Sequence, residues 1–257
     1  MKWYKKLYLG LALVFMYAPV LMIIVFSFSK GKSRANFGGF SLQWYKELFS
    51  SRDIGEAVYV TLIIAILASI ISAIVGTIAA VGIFGLKKKV RGVVLNISYF
   101  PIINPDIVTG ISLMILFIFL RFKLGFVTML AAHIVFDIPY VIFSVLPKLK
   151  QMNPYTYEAA LDLGASHMQA FTKVILPQIL PGIITGMILA FTLSIDDFII
   201  SFFTTSGVQN LSIYIYSTAR RGIEPSLYAL MSIMFIIVFG LMFAVSRRLF
   251  INTKNKE

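Results

Sequence analysis

Asp196 and Asp197 stand side by side in LSIDDFIIS, residues 193–201, a run that is otherwise apolar. A carboxylate at the centre of a bilayer costs about 2.5–3.5 kcal/mol on the insertion scale, so a bare pair costs about 5–7 kcal/mol. Two further acids share such surroundings, Asp106 in FPIINPDIVTG and Asp137 in HIVFDIPY, and no Lys or Arg lies deep in the same runs. The chemistry these residues suit is electrostatic attraction of a cation. One ammonium about 4 Å from a carboxylate contributes roughly 4 kcal/mol at an effective dielectric of 20. Water in a pathway or protonation would offset the cost as well. Tyr140 and Phe198 offer aromatic faces to a cation, although in a chain with 23 Phe and 12 Tyr their default role is packing.

The two neighbours are not equivalent. Adjacent residues of a helix point about 100° apart, which places Asp197 on the face of Leu193 and Ser201 and Asp196 nearer Thr192 and Ile200. In a continuous helix only one of them faces a pathway squarely. We expect Asp197 there, with Asp196 contacting a partner subunit or a nearby helix terminus; unwinding at Ser194 would let both serve. Asp106 follows Pro101 and Pro105, which interrupt the helix and bend it, so its role is either structural at the break or contact with a substrate. His133 and Asp137 are four apart on one helical face, and a structural hydrogen bond between them is expected.

The elements that must position these residues follow from composition. The chain has 257 residues, of which 59% are hydrophobic and only 13% charged, against roughly 25% charged in an ordinary soluble domain; the mean hydropathy is +0.88. Apolar runs of about 18 residues or more, enough for a helix to cross about 30 Å of hydrocarbon, recur at 7–28, 57–86, 93–120, 125–146, 174–203 and 227–245. The expectation is an all-α integral membrane protein, one transmembrane domain over 1–257 with six spans. The alternation of a transmembrane strand barrel is absent.

Cysteine is absent, which removes disulfide, zinc-thiolate and thiol-nucleophile chemistry. The net charge of +12 punctuates the spans and forms no stripe interleaved with aromatics, so no nucleic-acid partner is expected. With the N-terminus inside, Lys2, Lys5, Lys6, Lys87, Lys88, Lys89, Arg91, Lys148, Lys150, Lys173, Arg247, Arg248, Lys254 and Lys256 are cytoplasmic. The smaller set outside is Lys30, Lys32, Arg34, Lys46, Arg52, Arg121, Lys123, Arg220 and Arg221. The positive-inside rule therefore places both termini in the cytoplasm. The first apolar run follows Lys2, Lys5 and Lys6 but exceeds the 7–15 residues of a signal-peptide core, so it reads as a span that is not cleaved.

The external loop 30–56 holds SLQWYKELF, where Ser41 is placed to cap a short amphipathic helix with Leu42, Tyr45 and Leu48 on its apolar face. The second span is rich in small residues, Ala65, Ala68, Ser72, Gly76, Ala79 and Ala80, which lets another helix approach closely. Between the fourth and fifth spans, Asn153 and Pro154 start a helix of about ten residues and Gly164 stops it. Ser166 and Gln169 then form a capping box that opens a second helix running to Pro177 and Pro181. This helix, turn and helix, with Tyr157, Leu161 and Ala165 on its apolar face, is a knob able to dock into a groove of another protein.

The residues of this loop, 153–173, and those just beyond it resemble the EAA loop of the membrane subunits of bacterial ABC importers, E-A-A-x3-G-x9-I-x-L-P. Glu158, Ala159, Ala160, Gly164, Leu176 and Pro177 match it, and Val174 replaces the isoleucine. NPDIVTGISLMILF, YEAALDLGAS and FTLSIDD further resemble the permeases of polyamine importers. The resemblance implies a type I importer permease of the bacterial inner membrane, with a cytoplasmic coupling helix that fits an ATPase. It also implies a second, related permease, two ATPase subunits and an extracytoplasmic polyamine-binding protein as partners, besides membrane lipid. Glu158, Ala159, Ala160, Gly164, Leu176 and Pro177 would then couple the ATPase to the spans, and Asp197, Asp196, Asp106, Tyr140 and Phe198 would meet the substrate.

No G-x-x-x-x-G-K-[ST] phosphate loop occurs, so the chain is expected to be a transport subunit and not an enzyme, with ATP and Mg²⁺ held by the partner ATPase and no cofactor of its own. An importer for another solute, a passive channel and an intramembrane enzyme stay open as alternatives. The carboxylates argue against an anion as cargo. The two histidines form no H-E-x-x-H set.

Overall fold

The computed structural model describes residues 3–31, 36–153, 155–222 and 224–254 and, of residue 238 and residues 241–254, the backbone alone. Pro154 and four of the charges used for orientation, Lys2, Lys32, Arg34 and Lys256, lie outside the described residues.

The chain folds as helices, and among the described residues the only extended pairing is an isolated bridge between Ser29 and Phe40. Two compact units form, Glu56–Tyr214 and a second built from Met1–Gly55 with Ile215–Glu257. In the second, α1 (Trp3–Ser27) and α2 (Gln43–Ser50) pack against α12 (Pro225–Lys254). α2 is the expected amphipathic helix, but it begins one residue later than the capping argument requires. The Ser41 hydroxyl accepts from Gln43 N at 3.2 Å in a local turn, which leaves Leu42 outside the helix and 56% exposed. Leu48 is buried as expected and Tyr45 half-buried, but Trp44 takes the place of Leu42 on the buried face, its indole N–H donating to the Ser29 carbonyl.

The unit 56–214 carries the candidate site. Its first helix, α3 (Arg52–Gly85), buries Ala65, Ala68, Ser72 and Ala80, the small residues expected to admit a neighbour. A Cβ on Gly76 would lie 2.7 Å from the Val141 side chain, so α3 and α6 (Phe126–Gln151) meet there closely. The third apolar run is two helices, α4 (Lys88–Ile103) and α5 (Asp106–Phe119), bent by 104°. Pro101 is absorbed inside α4, and the break falls at Asn104 and Pro105, both extended. Proline at 105 denies the helix a donor and forces the residue before it out of the α region, which is why the chain turns there.

After α6 come α7 (Tyr155–Asp162), α8 (His167–Ala170), a π-helical turn over Phe171–Ile175, and α9 (Leu176–Asp196). The wide turn precedes Pro177, whose missing N–H cannot close an ordinary α bond. The fifth run then breaks a second time: α9 stops at Asp196, Asp197 is extended (φ −62°, ψ 121°), and α10 (Ile199–Thr204) follows. α11 (Leu211–Arg221) leads on from it. Three single helices, α1, α3 and α6, and the stretch His167–Asp196 are long and apolar enough to cross a membrane, and the bent α4–α5 pair is a further candidate.

Candidate functional site: two helix breaks around a carboxylate cleft

The two breaks lie together. α5 packs on α10, and Gly110 makes that possible, since a Cβ there would stand 3.3 Å from the Phe203 ring and 3.4 Å from the Ile199 carbonyl. Between them opens a cleft of about 320 Å³ lined by Asp106, Phe136, Leu193, Asp196, Asp197, Phe198 and Ile199. Four of the five residues expected to meet substrate, Asp106, Asp196, Asp197 and Phe198, therefore share one cavity. Tyr140 does not line it; its ring lies 5.5 Å from that of Phe136, which does. Three of the seven lining residues are acids and none is a lysine or arginine.

Both adjacent aspartates line the cleft, but they are placed differently: Asp196 is exposed, whereas Asp197, expected to be the one facing a pathway, is tied into the backbone. Because the helix breaks, the two side chains are not held about 100° apart around one axis. The Asp197 carboxylate turns back on the chain and accepts from Ile200 N at 3.1 Å and Ser201 N at 2.8 Å. These are the orphan donors that every helix N-terminus leaves over, and a short acidic side chain is well suited to take them. Its side chain is 8% exposed and also lies 3.5 Å from His133 Nε2. Asp196, the last residue of α9, is exposed in the cleft, as is Asp106 at the first position of α5.

The carbonyls orphaned at the end of α9 are met by the start of α11. Asn210 Nδ2 donates to the Asp197 carbonyl at 3.2 Å, and Ser212 Oγ donates to that of Asp196 at 3.4 Å. Asn210 is 1% exposed; it also donates to Ser201 Oγ at 2.8 Å and accepts from Ile213 N at 2.9 Å. Thr61 of α3 accepts from Leu211 N at 2.7 Å.

His133 and Asp137 do not bond to each other. Ser194 stands between them, 3.1 Å from His133 Nδ1 and donating to Asp137 Oδ2 at 2.8 Å. The helical spacing puts both on one face, but that face packs against α9, and the serine that α9 supplies meets both. Asp137 is fully buried, outside the cleft, and its Oδ1 has no hydrogen-bond partner among the described residues. Sequence reasoning did not single out Ser201, Asn210 or Thr61. The one available signal was that serines flank the acidic pair, Ser194 two residues before Asp196 and Ser201 four after Asp197.

A second feature lies in the segment between α6 and α9. Asn153 Oδ1 accepts from Tyr155 N at 3.0 Å and so opens α7. At its end Gly164 adopts φ +85°, Ala165 N donates to the Ala160 carbonyl at 3.0 Å and Gly164 N to that of Leu161 at 2.8 Å, which is a Schellman stop. The Ser166–Gln169 capping box forms with both bonds, at 2.9 and 3.3 Å. Tyr157 Oη lies 2.9 Å from His167 Nδ1 and ties the two short helices together. Tyr157, Leu161 and Ala165 are half-buried, whereas Glu158, Ala159 and Gly164 are exposed and Leu163 is 90% exposed. Ala160 and Leu176 are half-buried, and Pro177 is exposed at the start of α9. The EAA residues thus sit on a stiffly capped knob that presents its motif face to the surroundings.

Long apolar helices, two of them interrupted where carboxylates gather, and a capped knob between α6 and α9 define a membrane transport permease. The chain belongs to the family described as binding-protein-dependent transport system inner membrane component, whose model matches residues 72–252. It is 32% identical over 243 residues to the spermidine/putrescine transport system permease protein PotC of Escherichia coli K12, covering 94% of this chain and 91% of that one. It is 36% identical over 229 residues to the putrescine transport system permease protein PotI of the same organism, covering 86% and 81%. Among solved structures, it is similar in fold to a chain of a bacterial alginate ABC transporter in complex with a periplasmic protein carrying an alginate pentasaccharide. The TM-score is 0.65, with 19% identity and coverage of 96% of this chain and 94% of that one. The chain is therefore a multi-pass permease component of an ABC importer, with the type I permease fold.

Proposed function

We propose that this chain is a polyamine permease, forming half of a translocation pathway for spermidine or putrescine together with a second, related permease. The observation that carries the reading is the cleft in which Asp106, Asp196 and Asp197 gather without a cation. Polyamines supply ammonium groups to such carboxylates and methylene groups to aromatic faces such as Phe198. The similarity to PotC and PotI supports the same cargo class. Asp106 and Asp196, both open to the cleft, take the direct contacts, and Asp197 acts from its place at the head of α10.

In this reading the chain crosses the bacterial inner membrane six times, the sixth span lying in α12, with both termini in the cytoplasm. Two ATPase subunits bind ATP and Mg²⁺ and seat the knob of Glu158, Ala159, Ala160 and Gly164, and Leu176 and Pro177 pass its movement into α9. A separate extracytoplasmic binding protein delivers the polyamine, and no cofactor binds this chain. ATP-driven closure then alternates access to the cleft from one side of the membrane to the other.

The test is reconstitution of the complete complex in vesicles with its binding protein, measuring ATP-dependent uptake of labelled spermidine and putrescine. Asp196→Asn and Asp106→Asn are expected to lower uptake about tenfold each, the effect of one lost charge-assisted contact of about 1.5 kcal/mol. Uptake that is equal with and without ATP, or unchanged in both variants, refutes the reading.

A further inference from the structure

His133 is hydrogen-bonded through both of its ring nitrogens. Ser194 Oγ donates to Asp137 Oδ2 at 2.8 Å and lies 3.1 Å from His133 Nδ1. On the other side of the ring, Nε2 lies 2.8 Å from Ser201 Oγ, which also accepts from Asn210 Nδ2, and 3.5 Å from Asp197 Oδ2. One hydrogen-bonded chain results, from Asn210 through Ser201, His133 and Ser194 to Asp137.

The position of the two serines matters more than the chain itself. Ser194 lies in the last turn of α9 and Ser201 in the first turn of α10, one on each side of the break at Asp197. His133, fixed on the unbroken helix α6 and 1% exposed, therefore holds both ends of the interruption with one ring. We infer that His133 is the positioning residue of the carboxylate cleft: by stapling α9 and α10 across their break it fixes the direction in which Asp196 is presented to a cationic cargo. It touches no cargo itself, for it does not line the cleft. This inference rests on the polyamine reading of that cleft.

Without the staple, the two helix ends are free to reseal or to swing, and Asp196 loses its aim while keeping its charge. A double-mutant cycle separates this role from a general contribution to folding. Uptake of labelled spermidine by the reconstituted complex is measured for His133→Ala, Asp196→Asn and the pair, each normalised to the amount of assembled complex. His133→Ala is expected to lower uptake about tenfold, the change one buried hydrogen bond makes to an equilibrium. In the Asp196→Asn background the same substitution is expected to cost less than about twofold, because there is no longer a carboxylate to aim.

Ser201→Ala removes the hydroxyl between His133 and Asn210 and leaves the ring in place, so it supplies a second cycle if the alanine at 133 fails to assemble. It is expected to show the same loss and the same coupling to Asp196. His133→Gln, with a donor and an acceptor on one side chain, is expected to recover part of the uptake. Equal fold losses in the wild-type and Asp196→Asn backgrounds, in whichever cycle assembles, overturn the inference. Asp196→Asn with unimpaired uptake overturns the underlying reading instead, so the two failures are distinguishable.

Discussion

Gly182→Ala and Gly82→Ala are the same chemical change on two apolar helices of one unit, and the structure gives them opposite signs. At Gly182, in α9, an added Cβ would stand 2.8 Å from the Ser144 carbonyl oxygen, 2.8 Å from Lys148 Cγ and 3.2 Å from Val145 Cα, all on α6. The lysine can swing away, but the backbone oxygen cannot. Opening that contact to an ordinary separation of about 3.5 Å moves the helices apart by about 0.7 Å. Overpacking of this kind costs about 1–3 kcal/mol, against which alanine regains about 1 kcal/mol of helix propensity. At Gly82, in α3, nothing lies within 4 Å, so only the favourable part remains. The net cost is up to about 2 kcal/mol, and at about 2–4 °C per kcal/mol for a chain of this size Gly182→Ala is expected to lower the melting temperature of the assembled complex by up to about 8 °C. Gly82→Ala is expected to leave it unchanged or raise it by about 2–4 °C.

The displacement also reaches the site. α6 and α9 carry Asp137 and Ser194, whose bond is 2.8 Å; a rigid shift of about 0.7 Å takes it past the 2.5–3.0 Å range of an O–H···O bond. Uptake by the Gly182→Ala complex is therefore expected to fall even well below its melting temperature. Scanning fluorimetry and vesicle uptake on the two variants test both parts. Equal shifts for the two glycines, or a stable Gly182→Ala complex with normal uptake, would refute the close approach of α6 and α9.

Two further outcomes follow from single positions. Gly164 holds φ +85°, where an L side chain costs about 1–2 kcal/mol, so Gly164→Ala is expected to loosen the knob and uncouple ATP hydrolysis from uptake; the ratio of ATP hydrolysed to spermidine imported measures it, and an unchanged ratio counts against the docking role. Trp44→Phe keeps an aromatic ring but removes the N–H donor to the buried Ser29 carbonyl and part of the buried indole volume, together costing at least about 1–3 kcal/mol, read as a lower melting temperature of the complex, and no shift would show that neither the bond nor the packing there contributes.

Much of the architecture was legible because lipid imposes strict rules. Backbone groups in hydrocarbon must bond within their own helix, so apolar length alone located the runs that became α1, α3 and α6. The small-residue stripe of α3 was legible for the same reason, since only a side chain's size decides how near another helix can come. Proline located the first break to within a few residues, and capping chemistry located both ends of α7, because Asn153, Gly164, Ser166 and Gln169 each act on backbone groups within a turn of themselves. Local causes were readable from local sequence.

The second break was not readable in that way. Ile195-Asp196-Asp197-Phe198 holds neither glycine nor proline, and helix propensity alone would carry α9 straight through to Ser201. What stops it is a set of partners distant in sequence: His133 and Asp137 on α6 and Asn210 ahead of α11. Each satisfies a backbone or hydroxyl group that the interruption exposes. The same fact answers why two carboxylates are tolerated in an apolar run. Asp197 is compensated by two backbone N–H donors of α10, at 3.1 and 2.8 Å, and needs no cargo to remain there. Among the described residues no backbone N–H is bonded to the Asp196 carboxylate, which faces the cleft with Asp106. On the proposed reading, the charge available to a polyamine is therefore smaller than the sequence count of acids implies, and the break that Asp197 caps and His133 spans is what places it.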